Sequence, residues 1–325
     1  MSRIASGIDV SSPPKPASPD GFVIAGIVLM CLGAICMVGL DASARMLLET
    51  YSLPQLVVLR CAFSISLIVA FTLARSELAT LRTKRPGWHV FRSLLMAGSM
   101  FAFFHALRHI PLADIIVIAF AAPLIVTSLS RPFLGEPVGP WRWAAVIVGF
   151  VGVLVVLRPG SGLMHPAAFI ALGGSVTYAS LSLTARKLRS TESTAALSIY
   201  LFGVPGLIGA VGSFGNWTAP DAVGWMLFAV CGFFGGMAFI FINAAYRRAQ
   251  AAIIVPFEYT GLIWAAAAGY LFWGEIPGAN TWLGAAIIIA SGLFILFRET
   301  VVRRRPQPQL DFPMQEVASV TPEED

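Results

Sequence analysis

Two charged residues stand deep inside apolar stretches of this 325-residue chain. Arg60 lies in Val57-Val58-Leu59-Arg60-Cys61-Ala62-Phe63, and Glu258 in Ile254-Val255-Pro256-Phe257-Glu258-Tyr259. A charge in hydrocarbon costs roughly 2.5–3.5 kcal/mol on insertion scales, so each needs a purpose. Glu258 suits a cationic group or a proton, and Arg60 an anionic or carbonyl group. A snorkelling side chain is the alternative for Arg60, which starts about six residues from the outer end of its stretch. At 1.5 Å per residue the two differ in depth by about 10 Å, so a substrate bridges them better than a direct ion pair does. Pro123 interrupts a further stretch and Pro256 the one that holds Glu258, and each frees a backbone carbonyl that is tolerated where it lines a cavity. Phe120, Tyr178, Tyr259 and Trp264 stand near these positions and offer flat faces to a planar substrate. Packing against helices or lipid is the bland alternative for each of them.

Other chemistry is thin. His105 and His109 share a helical face, with Asp114 as the acid near them, which is too few ligands for a metal site. Cys31, Cys36, Cys61 and Cys231 all fall in apolar runs and read as packing residues. No phosphate-cradling loop, zinc-protease motif or nucleophile elbow occurs. The chain is therefore expected to use no cofactor and to work on a gradient.

The elements that position these residues must span a membrane. Hydrophobic residues make up 57% and charged residues 12%, with a mean hydropathy of +0.78. A soluble domain carries about 25% charged residues, so half that share cannot cover a water-soluble surface. A soluble enzyme, a disordered scaffold and a nucleic-acid binder are excluded. Ten apolar runs have the length a bilayer needs, at about 21–40, 54–74, 88–107, 112–130, 141–157, 166–185, 195–215, 222–244, 251–273 and 279–297. With the N-terminus inside, the inner segments and the span ends bordering them hold 18 Lys and Arg, and the outer loops hold three, Arg45, Arg108 and Arg158. That bias sets both termini in the cytoplasm of a multi-pass inner-membrane protein. The net charge of +5 reflects this orientation rather than a nucleic-acid partner.

The chain also repeats itself. A shift of 139 positions carries Ala106, Arg108, Ala113, Ile115, Phe133, Gly135, Glu136, Trp143 and Leu154 onto identical residues. A shift of 141 does the same for Gly33, Ala44, Arg45 and Leu47. Five spans per half is an odd number, so the second half is inverted relative to the first. Inverted repeats can exchange conformations, and alternating access follows. The expected fold is an all-α polytopic membrane protein of ten transmembrane helices in two inverted five-helix repeats. Residues 1–20 form a disordered N-tail, 21–158 the first repeat, 159–298 the second and 299–325 a cytoplasmic C-tail. Glu136 and Glu275, at matching Gly-Glu turns, are expected to accept backbone or Arg hydrogen bonds. The glycines from Gly203 to Gly215, three apart, suit close helix packing.

Phe133-Leu134-Gly135-Glu136, Trp141 and Gly149-Phe150-Val151-Gly152-Val153 resemble the end of an EamA repeat. So do Phe272-Trp273-Gly274-Glu275 and Trp282. The chain is thus similar to the drug/metabolite transporter superfamily over nearly all of residues 21–298. Pro256-Phe257-Glu258-Tyr259 and Asp41 followed by Ala44-Arg45 resemble the subgroup of riboflavin importers and S-adenosylmethionine uptake carriers. The resemblance implies a secondary carrier of a small molecule, with riboflavin import leading. S-adenosylmethionine uptake and amino-acid or metabolite export are the alternatives. Protons are a candidate coupling ion, and a homodimer is left open. An intramembrane enzyme would want a cluster of acids or a nucleophile at depth, and a sensor a large soluble domain. Neither is present in the sequence.

Overall fold

The computed structural model describes residues 19–74, 83, 85–135, 139–158, 165–188, 196, 199–249 and 251–302. The expectations for Glu136 and the C-tail beyond Val302 lie outside these residues, as does that for the N-tail before Pro19. All regular structure in the described residues is helical. In chain order the helices are α1 (Pro19–Thr50), α2 (Leu53–Ala74), α3 (Pro86–Leu107), α4 (Leu112–Ala119), α5 (Ala122–Leu134), α6 (Pro140–Leu157) and α7 (Pro166–Leu188). A 3₁₀ turn (Tyr200–Phe202) then leads into α8 (Gly203–Gly212), followed by α9 (Ala222–Arg248), α10 (Ala251–Glu258), α11 (Gly261–Trp273) and α12 (Ala279–Val302).

Local chemistry sets several of these boundaries. Proline opens α3 and α6, where its missing N–H would lack a partner anyway. The Asp221 carboxylate caps α9 by accepting from the Gly224 N–H at 2.7 Å. Gly135 and Gly274 close α5 and α11 in the left-handed region, with φ of 70° and 66°.

Eight helices among the described residues are long and apolar enough to cross a membrane, with α4 and α5 together making one of them. Tyr200–Gly212 adds a shorter apolar helix, and α10 with α11 covers the apolar stretch 251–273. Exposed Val211, Leu271 and Phe297 give these helices the apolar outer surface that lipid requires. The chain is a multi-pass helical membrane protein. The first run extends ten residues beyond the expected end at Leu40, through Asp41 and Arg45 to Thr50. Leu47 and Leu48 keep that last stretch buried, so the charges do not end the helix.

Packing follows the repeat. α1 lies along α9, and its repeat counterpart α7 lies along α3. α2 packs on α8, and α6 on α12, each against its own counterpart. Close approach is built from glycine, as expected. A Cβ at Gly209 would stand 2.8 Å from both the Pro54 carbonyl and the Val58 nitrogen of α2. One at Gly232 would stand 2.3 Å from Phe63.

Candidate functional site

The fourth and ninth apolar runs are each folded as two half-helices. Moving α4 and α5 along the chain by 139 positions reproduces the bounds of α10 and α11 at all four ends. The break falls at Phe120–Ala121 in one repeat and at Tyr259–Thr260 in the other. The same tight turn closes each: the Ala121 N–H donates to the Ile118 carbonyl at 3.0 Å, and the Thr260 N–H to the Phe257 carbonyl at 3.2 Å. Each carbonyl also takes a hydroxyl, from Ser175 at 3.2 Å and from Thr260 Oγ1 at 2.6 Å. The two prolines occupy different registers around these equivalent breaks. Pro123 sits second in α5, and Pro256 lies inside α10, three residues before the second break.

The breaks bring the expected aromatics together. Phe120 meets Tyr259 edge to face, ring centres 5.0 Å apart and planes at 89°. Glu258, the last residue of α10, is exposed although both Ile254 and Tyr259 beside it are buried. Its charge reaches the hydroxyls of Tyr259 and of Tyr178 on α7. Tyr178 is 50% exposed, and α7 does not pack closely on α10 among the described residues. Glu258 and Tyr178 therefore lie near one another although their helices do not pack together. Trp264 does not join them. It is exposed, on the flank of α11 away from the face that Leu262, Ala265 and Gly269 bury.

Arg60 belongs to a separate cluster. It is buried and does not snorkel: Nη1 donates to the Met100 sulphur at 3.2 Å, and the guanidinium lies over Phe104 at 5.3 Å and Phe202 at 5.9 Å. Its nearest opposite charge is Asp41 on α1, buried to 2% exposure. The expected separation of Arg60 from Glu258 holds in this respect, that no direct contact joins them among the described residues. Asp41 was legible only as part of a motif, because the apolar run was ended just before it.

A third constellation ties the halves together at one end. Arg45 of α1 makes a two-pronged ion pair with Glu275, at 2.8 and 2.5 Å, and stacks on Trp273 at 4.4 Å. Glu275 also accepts the Leu112 N–H at the start of α4, at 3.2 Å. Thr281 donates to Asp114 at 2.5 Å, and Trp273 to Glu49 at 3.0 Å. The expectation that Glu275 accepts Arg and backbone hydrogen bonds is met. Arg45, read as a loop charge, turns out to be its partner.

Packing differs between the two ends. α4 packs on α11 and on α12 at the Arg45 end. The repeat counterparts of these contacts, α5 with α10 and α6 with α10, are not comparably made among the described residues. A structure obeying the repeat fully would show both sets, so among the described residues the bundle is packed more closely at the Arg45 end.

Two clefts lie elsewhere. One of about 230 Å³ is lined by His109, Asp114, Arg158 and His165, among others, and a shallower one of about 640 Å³ by Arg85, Gly87, Trp88 and Phe91. His165 stacks on His109 at 5.3 Å, extending the expected His105–His109 pair. Burial first, and then the neighbouring His105, His165 and Arg108, hold the His109 imidazole below its ordinary range. No group of three or more metal-binding side chains occurs among the described residues.

The EamA-like transporter family matches residues 24–158 and again 165–297. A riboflavin transporter of Rhizobium johnstonii is 32% identical over 235 residues, covering 72% of this chain and 78% of that protein. An S-adenosylmethionine uptake transporter of Rickettsia felis is 29% identical over 220 residues, covering 68% of this chain and 75% of its own. A crystal structure with 17% identity superposes with a TM-score of 0.60, over 88% of this chain and 99% of that one, and shares the fold.

Proposed function

This chain belongs to the EamA-like transporter family, and from that premise we propose that it imports riboflavin across the bacterial inner membrane by alternating access. It is a transporter in plain terms; the substrate, the direction and the topology are our reading. The topology is ten spans in two inverted repeats, residues 21–158 and 159–298, with both termini in the cytoplasm. The identical half-helix breaks and the exchanged packing of α1 with α9 and α7 with α3 support the inversion. The Lys and Arg bias makes the Arg45 end the outer one. The structure then corresponds to an inward-facing state, with its outer side latched by Arg45 and Glu275.

One observation carries the substrate reading: an exposed carboxylate, Glu258, set among Tyr178, Tyr259 and Phe120 at the broken helices. Aromatic faces take up the flat ring system of a flavin, and the carboxylate accepts hydrogen bonds from its imide or its ribityl hydroxyls. Pro123 and Pro256 belong to this site through the breaks they flank. The negative charge favours a second reading, S-adenosylmethionine uptake, because a cationic substrate would gain more from Glu258 than a neutral flavin does.

The test is uptake of labelled riboflavin by a riboflavin-requiring bacterium expressing the chain, with Glu258→Gln beside it. Saturable uptake that falls at least tenfold in the variant at equal membrane levels supports the reading. Saturable uptake of S-adenosylmethionine with none of riboflavin would move the assignment to the second substrate.

A further inference from the structure

Asp41 is the best-buried carboxylate described here, and nothing in the substrate site uses it. It lies on α1 at 2% exposure, and no hydrogen bond reaches its carboxylate among the described residues. Arg60, at 8% exposure, spends one amino group on the Met100 sulphur rather than on Asp41. The Arg60 Nε and the Ser64 hydroxyl, one turn apart on α2, have no partner although both are buried. Gly235 of α9 faces both: a Cβ there would stand 3.6 Å from the Ser64 hydroxyl and 3.9 Å from an Arg60 nitrogen. A structural ion pair at this depth would be joined by hydrogen bonds, because desolvation is otherwise uncompensated. Here a buried carboxylate carries no hydrogen bond among the described residues, and a guanidinium nitrogen and a hydroxyl on α2 are buried without partners, an arrangement suited to a proton.

Its position is also specific. Asp41 and Arg45 are four residues apart on α1, so they share a helical face. Asp41 therefore lies one turn beneath the Arg45–Glu275 latch. The charged or titratable groups that act on it are Arg60 of α2 and, across α9, Cys231. Cys61 stands beside Arg60. From α3 comes only the Met100 thioether, through Arg60. α10 also packs on α1, but its acid, Glu258, acts on Tyr178 and Tyr259 instead.

We infer that Asp41 is the coupling-proton site of this carrier, loaded from the outer side when the Arg45–Glu275 latch parts and emptied to the inner side when it closes. The step is a simple exchange. The carboxylate takes one proton from outer water and becomes neutral. In the latched state it gives that proton to inner water and is ionised again. Substrate and proton then occupy different sites, at Glu258 and at Asp41, linked through α1. This rests on the reading of the chain as a secondary carrier but not on the identity of its substrate.

The experiment has one arm that needs no substrate. The full chain is reconstituted in liposomes of phosphatidylethanolamine and phosphatidylglycerol, and infrared difference spectra are recorded between acid and alkaline pH. The wild type is expected to show a protonated-carboxyl band that titrates, that is lost in Asp41→Asn and that returns at a shifted frequency in Asp41→Glu. A spectrum with no titrating carboxyl band, or a band that survives unchanged in Asp41→Asn, overturns the proposal. In the second arm, riboflavin uptake by the same liposomes is measured with and without an inward proton gradient. The wild type is expected to accelerate at least fivefold, and the response is lost in Asp41→Asn. An equal gradient response in Asp41→Asn overturns the proposal. A wild type that takes up no riboflavin while the infrared band behaves as expected removes the flavin reading and leaves Asp41 as the proton site.

Discussion

Glu258 and Arg60 were visible in the sequence because a charge inside an apolar run has no bland explanation. Asp41 escaped for the opposite reason. It lies where apolar residues thin out, and a hydropathy reading ends the span there, although Leu47 and Leu48 continue the helix. The spacing of Asp41 and Arg45, four apart ahead of two leucines, was the available signal. The sequence reading grouped Phe120, Tyr178, Tyr259 and Trp264 only by nearness to the prolines; the Phe120–Tyr259 contact follows from a repeat pairing, 139 positions apart, that hydropathy alone does not show. His109 supplies a prediction at this scale. Its imidazole is held below the ordinary range in the folded chain, so the folded state binds fewer protons than the unfolded chain as pH falls through that range. Stability contributed by neutral His109 is present above the ordinary imidazole pKa and declines below it. His109→Gln should therefore flatten the loss of Tm on acidification, read by thermal unfolding of the detergent-solubilised protein at neutral and mildly acid pH. An unchanged slope would overturn this account of His109.

At the scale of elements, half-helices were only partly legible. Proline marked the two interrupted runs, yet the breaks lie where the repeat requires them rather than where the prolines stand. In the first repeat Pro123 follows the break, and in the second Pro256 precedes it. The turn itself is held by backbone and hydroxyl bonds to Ile118 and Phe257, which no hydropathy pattern encodes. The glycine stripe in α8 was plainer, since a period of three along one helix has few uses besides close packing. Gly209 is its tightest point, with backbone atoms of Pro54 and Val58 where a side chain would begin. Gly209→Val should therefore destabilise the bundle by about 1–3 kcal/mol through overpacking, whereas Gly203→Ala, with open space around it, should not. Thermal unfolding of the two variants in the same detergent separates them, and equal Tm values would refute the packing account.

Across the whole molecule, the repeat makes a stronger statement than either half alone. With the halves inverted as proposed, they can swap their conformations, so every contact made at one end and missing at the other is expected to exchange during transport. The contacts of α4 with α11 and α12 are of this kind, and the Arg45–Glu275 pair sits on top of them with side chains only 15% and 22% exposed. Charge-assisted hydrogen bonds of this geometry are worth about 1.5–3 kcal/mol each, and every 1.4 kcal/mol is about a tenfold change in a two-state ratio. Glu275→Gln should therefore move the population toward the outward-open state by about tenfold or more. The measurement is the reaction of a cysteine at Ala119, the half-buried last residue of α4, with a membrane-impermeant thiol reagent added from outside, in a background where the four native cysteines are replaced. Labelling should be slow in the background protein and at least tenfold faster with Glu275→Gln. A rate that stays unchanged would show that helix packing alone closes the outer side, leaving the ion pair a cap on α4 and nothing more.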